Sequence, residues 1–198
     1  MKFFKNNSYD IVKLFVNQMG IAIFSLVLYT AVDAGFTNNS GLKLSLKVSL
    51  SVFSTLFYFA LLYTVAWDFG AKDRVKIDSG KHEIPRLQGV YLALSANAIN
   101  FLLAAISVAS IALYMTTSAE WLYTTFGISN LFMRFILSAY LGMIQGMTSS
   151  LSGNIDFLYE SIAYFAAPAL SVAVTTFGYY MGCANKRLFS PSKPSSGK

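Results

Sequence analysis

Residues Leu87 to Ala119 read LQGVYLALSANAINFLLAAISVASIALYMTTSA, a run of 33 residues without one charged side chain. Crossing a hydrocarbon core of about 30 Å takes roughly 20 apolar residues in helical form, so this run is longer than one crossing needs. Its composition suits a transmembrane helix whose ends the sequence leaves open by a turn or more. Working outward from it, the same reading applies to most of the chain.

Three further apolar stretches flank this one, from about Leu14 to Val32, Val48 to Trp67 and Ser161 to Cys183. Across all 198 residues, 55% are hydrophobic and only 12% charged. Soluble domains carry about 25% charged residues. The shortfall, together with the four runs, predicts an all-α integral membrane bundle. Residues 1–189 then form one membrane-embedded domain, and residues 190–198, rich in Ser and Pro, a disordered tail.

The first run follows Lys2, Lys5 and Lys13, a basic start that a signal peptide would also show, and Val32 with Ala34 suits a small-residue cleavage rule. A signal peptide's apolar core is about 7 to 15 residues, and this one is longer, so an uncleaved first span is expected. Pro168 sits inside the last run, where membrane helices tolerate proline if neighbours satisfy the freed carbonyl.

Ile128 to Met147 decides how many times the chain crosses. Its apolar positions follow helical spacing, and Asn130, Arg134, Ser138 and Gln145 fall within an arc of roughly 80° at about 100° per residue. Leu141 interrupts that stripe. If the segment crosses, the Lys and Arg residues divide as eight on one side and six on the other; if not, twelve face three, which suits the positive-inside rule far better. The expectation is therefore four full transmembrane helices plus a fifth that is tucked, re-entrant or interfacial, with five full spans as the alternative. Both termini and the charged segment Asp68 to Gly89 would face the cytoplasm.

Arg134 is the residue with most to explain, because a guanidinium near the bilayer centre costs about 2.5 to 3.5 kcal/mol on insertion scales. It requires water or a partner such as Asp33, Glu120, Asp156 or Glu160, or else it snorkels to the interface from a shallow helix. In the first case Asn130, Arg134, Ser138 and Gln145 line a polar cavity. Asn97, Asn100 and Ser107 share one face of the third span, where hydrogen bonds between helices are the default and a solute site the alternative. Gly142-x-x-x-Gly146 and Gly178-x-x-x-Gly182 permit close helix approach, either within the chain or between copies or partner proteins.

The segment from Asp68 to Gly89 reads as a solvated connector, with Asp68 and Lys72 able to pair and Asp78-Ser79-Gly80 supplying a turn. Its alternative role is a docking surface built on Asp68, Lys72, Asp73 and Arg74. His82, the single histidine, stands beside Lys81 and Glu83 as a solvated residue with no partner set for catalysis or metal binding. Cys183, the single cysteine, allows no intrachain disulfide.

Trp67-Asp68, Gly70-Ala71-Lys72-Asp73-Arg74, Asp78, Pro85, Gly89, Tyr91 and Asn97, with Gly178-Tyr179 and Gly182, give the chain a look that resembles a group of small multi-pass membrane proteins of clostridia-like bacteria. The resemblance covers about two thirds of the chain, implies a bacterial cytoplasmic membrane and brings no activity with it.

No phosphate loop, nucleophile elbow, H-E-x-x-H or cysteine pair occurs, and the basic residues sit at segment ends, where they orient the chain in lipid rather than bind nucleic acid. The expectation is a non-enzymatic protein without a cofactor or metal: a small transport component or accessory subunit of a membrane complex. The alternative is an interaction or immunity-type scaffold that carries no solute. An intramembrane enzyme would need a cavity with two or more facing carboxylates.

Overall fold

In the computed structural model, residues 2–35, 40–80, 87–149 and 154–188 are described. They form six helices: α1 (Lys2–Gly35), α2 (Ser40–Asp78), α3 (Gln88–Thr117), α4 (Glu120–Ile136), α5 (Ser138–Thr148) and α6 (Asn154–Cys183). Four of them, α1, α2, α3 and α6, are long and apolar enough to cross a membrane. The expected all-α membrane bundle is the observed architecture.

Burial is distributed as lipid demands. Val27, Leu56, Leu102 and Leu170 point outward with more than half of their surface exposed, whereas Ser54, Asn100, Ser107, Ser161 and Thr175 are fully buried. In a bilayer, hydrocarbon solvates the outer apolar surface, and polar side chains turn inward to find hydrogen-bond partners.

Side-chain contacts fix the directions of the helices. Gln18 meets Asn100, and Phe3 meets Tyr91, so α1 and α3 run parallel. Phe24 against Phe57 and Lys13 over Phe69 make α1 and α2 antiparallel. Ser107 with Ser161 and Phe101 with Phe165 make α3 and α6 antiparallel. The bundle thus has a near end, where α1 starts and α2 and α6 finish, and a far end, where α1 and α3 finish.

Both Gly-x-x-x-Gly faces are occupied inside the chain. A Cβ on Gly182 would run into the Trp67 carbonyl, one on Gly178 into Tyr63, and one on Gly70 into the Tyr179 carbonyl, so α2 and α6 lie backbone to backbone. Nearer the start of α2, Gly142 faces the Lys47 carbonyl and Gly146 the Val48 side chain. Small residues permit the close approach that drives helix association when the hydrophobic effect is absent.

The segment expected to be one helix over 128–147 is two. α4 and α5 meet at Leu137 with a bend of 117°. Neither proline nor glycine stands there. The chain departs from helix through Leu137 alone (φ −104°, ψ 26°), and Ser138 Oγ donates to the Ala22 carbonyl at 2.6 Å. Ala22 lies half-way along α1, so the tip of the bend reaches the middle of the bundle. From it, α5 runs back along α2, with Ala139 beside Ser51 and Thr55, and Gly142 beside Lys47. Because α3 ends and α6 begins at the far end, the pair enters and leaves there, in keeping with the tucked arrangement.

The charged segment also differs from its reading as a connector. α2 continues as helix through Asp78, so Asp68, Lys72, Asp73 and Arg74 project along a helix rather than a loop, and Gln88 and Gly89 already belong to α3. Charged residues beyond the hydrocarbon need not leave the helix; they only need to leave the lipid. His82, Pro85 and the tail 190–198 lie outside the described residues.

Candidate functional site

The one-residue break at Leu137 reorders the predicted polar stripe. Asn130 and Arg134 remain on α4, while Ser138 and Gln145 belong to α5. Ser138 is consumed at the hairpin tip by its bond to Ala22 and does not line a cavity with Arg134. Gln145 does. Together with Leu44, Arg134, Thr148, Ser149, Asp156 and Glu160 it bounds a cavity of about 280 Å³ at the far end, between the hairpin and the first turns of α2 and α6.

Arg134 finds its carboxylate in Glu160, one of the four expected candidates. Arg134 Nε donates to Glu160 Oε1 and Nη2 to Oε2, both at 2.8 Å, a bidentate fork that matches guanidinium to carboxylate geometry. Tyr164 Oη adds a third bond to Glu160 Oε1 at 3.1 Å. The Glu160 side chain is only 5% exposed, against 42% for Arg134. The arginine therefore bridges a buried anion and the open cavity instead of snorkelling away from it. It also borders a second cavity of about 230 Å³, lined by aromatic rings of α4, Phe157 and Asn130, whose Oδ1 is buried without a partner among the described residues.

Behind the first cavity, Tyr29 Oη donates to Gln145 Oε1, and the amide nitrogen Nε2 makes no hydrogen bond among the described residues. Lys47 Nζ lies 4.1 Å from the centroid of the Tyr29 ring. Lys43 and Lys47 both pair with Asp33, at 2.6 and 2.7 Å. Tyr29, Thr148, Ser149 and Tyr164 were not legible as site residues, since hydroxyl side chains are common in membrane helices. Asp156 and Glu160 carried a usable signal: four residues apart on a helix, they share a face.

Asn97 and Asn100 stand elsewhere. Asn100 Nδ2 donates to Gln18 Oε1 at 3.1 Å and to Asn97 Oδ1 at 3.0 Å, and Asn97 Nδ2 donates to the Ala93 carbonyl. This group ties α1 to α3, as expected of interhelical packing.

At the near end, Asp73 accepts from Tyr179 Oη at 2.8 Å and pairs with Lys76 at 2.7 Å, and Arg74 reaches Asp78 and the Cys183 carbonyl, each at 3.4 Å. Lys72 lies over the Phe69 ring at 5.9 Å, and an Asp68–Lys72 pair is not present among the described residues. Asp68 instead borders a cavity of about 250 Å³ with Tyr63, Thr64, Trp67 and Arg187. Asp73 and Arg74 thus clasp the end of α6 to α2.

A bundle of four long apolar helices with a bent pair inserted among them defines a multi-pass α-helical membrane protein. Comparison with known proteins finds no family model, no curated protein and no solved structure that the chain matches.

Proposed function

We propose that this chain is a non-enzymatic, small transport component of a membrane complex, with its near end in the cytoplasm of a bacterial cell. The observation that carries this reading is the far-end cavity of about 280 Å³, walled by a hairpin that dips half-way into the bundle and by formal charges of both signs. Polar and ionisable groups inside a membrane protein are costly and mark solute paths when they face a cavity. The cavity does bring two carboxylates together, Asp156 and Glu160, but Glu160 is held on both oxygens by Arg134 and on one by Tyr164, so the pair does not offer a free acid beside a free base, which supports the non-enzymatic reading.

Purification in mild detergent followed by native mass spectrometry tests the reading. A small molecule retained by the wild type and lost on Arg134→Ala, in a protein that still accumulates, supports it. Partner proteins without any retained molecule would support the scaffold reading instead. The observation favouring that second reading is the helical extension of α2 through Asp68, Lys72, Asp73 and Arg74, which offers a rigid charged surface beyond the span.

A further inference from the structure

We infer that the far-end cavity takes a small solute bearing a primary ammonium group, an inference that rests on the transport reading above and names its solute class. Three charged side chains line the cavity: Arg134, Asp156 and Glu160. Arg134 and Glu160 neutralise one another through their two-point contact, so the lining is left with the single negative charge of Asp156. Lys43 and Lys47 at the same end share a single carboxylate, Asp33, and so keep one positive charge between them, but neither lines the cavity, and Asp156 is the unpaired charge that a solute meets there.

Hydrogen-bond supply points the same way. Asp156 Oδ1 is buried and has no partner among the described residues. Thr148 Oγ1 already donates its hydrogen to the Ile144 carbonyl at 3.1 Å, and Ser149 Oγ donates to the Gly146 carbonyl at 3.0 Å. Each hydroxyl therefore has only lone pairs to offer the cavity. Asp156, Thr148 and Ser149 thus add acceptors to the lining, one of them carrying charge. A primary ammonium carries three donors on one cationic atom, as a lysine head does. Gln145 Nε2, one turn before Thr148 and Ser149 on α5, and the remaining Arg134 N–H groups also border the cavity and can serve a second polar group of the solute. The cavity is at the small end of ligand pockets, which start at about 300 Å³, so the solute is compact.

The test is equilibrium binding to the purified full-length protein in mild detergent, by calorimetry, with ethanolamine and methylammonium set against tetramethylammonium, acetate and urea. The expected result is binding of the primary ammonium compounds at least about tenfold tighter than tetramethylammonium, which has charge but no N–H. Tenfold is about the worth of one charge-assisted hydrogen bond. Asp156→Asn weakens the ammonium compounds by about tenfold or more while its melting temperature stays that of the wild type. Thr148→Val, which removes an acceptor at nearly constant volume, gives a smaller loss and covers the case in which Asp156→Asn does not fold. Preference for acetate or urea, equal binding of tetramethylammonium, full displacement by sodium or potassium ions, or indifference to both variants would overturn the ammonium assignment and leave the transport reading standing. Binding of none of the five probes, together with no retained molecule in native mass spectrometry, would overturn both.

Discussion

Arg134 and Glu160, 26 residues apart in the chain, meet through two parallel hydrogen bonds of 2.8 Å at the mouth of a cavity. Removing the arginine leaves a carboxylate that is 5% exposed without its cation. Breaking a fully buried pair costs about 3 to 5 kcal/mol, and the half-open position of the guanidinium lowers this, so Arg134→Ala is expected to destabilise by about 2 kcal/mol. Arg134→Lys keeps the charge but loses the fork and is expected to recover only part of the loss. Thermal melting in detergent, with Glu160→Gln completing a double-mutant cycle, measures both. Full rescue by lysine would show that the fork contributes nothing.

Glycine contacts make a paired prediction. Gly182 stands against the Trp67 carbonyl, whereas a Cβ on Gly20 would meet nothing within 4 Å. Gly182→Leu is expected to force α6 off α2 and lower stability by more than about 2 kcal/mol, and Gly20→Leu to be neutral or mildly stabilising. Urea or thermal unfolding of the two variants compares them directly.

Topology can be read by labelling single cysteines in a Cys183→Ser background with a membrane-impermeant maleimide on intact cells. Thr117→Cys and Ser149→Cys, before and after the hairpin, are expected to label together, and Ser79→Cys to remain protected. Opposite behaviour of the Thr117 and Ser149 positions would mean that α4 and α5 cross the bilayer as one broken span.

Beside the hairpin's tip, Ser51 and Thr55 both donate to the Ala139 carbonyl, at 2.6 and 3.1 Å. Interhelical bonds of this kind contribute about 0.6 kcal/mol each, so Ser51→Ala with Thr55→Val is expected to cost about 1 kcal/mol. The loss should appear first as faster hydrogen exchange in α5 than in α6, which hydrogen-exchange mass spectrometry resolves. Uniform acceleration across the bundle would contradict a local anchoring role.

The four spans were legible because each is an uninterrupted apolar run. Their ends were not: hydropathy marks where the lipid stops, while α1 begins at Lys2 and α2 persists to Asp78, well past the apolar cores. The break at Leu137 was hidden for a different reason. Apolar spacing is helical on both sides of it, and no proline or glycine announces the one residue whose dihedrals differ. Once the phase is lost there, Ser138 can no longer be placed on the face of Arg134. The arginine's need for a carboxylate was readable from its cost in lipid, but the choice of Glu160 over Asp33, Glu120 or Asp156 depends on how α6 passes the end of α4. Likewise, Asn97 and Asn100 were visible as one face, but nothing in the first run singled out their partner Gln18 from its polar neighbours Asn17 and Ser25.

α2 carries Leu44 at the rim of the far-end cavity and Asp78 at its other terminus, 34 residues later in the same unbroken helix. At 1.5 Å per residue these two points are about 51 Å apart. A rod of that length works as a lever: a tilt of about 5° pivoting at Leu44 swings Asp78 sideways by about 4 Å. The grip of Tyr179 and Arg74 makes the end of α6 swing with it. A displacement at either end of α2 would in this way reach the other end as movement of the whole rod, with no chain of rearranged side chains in between.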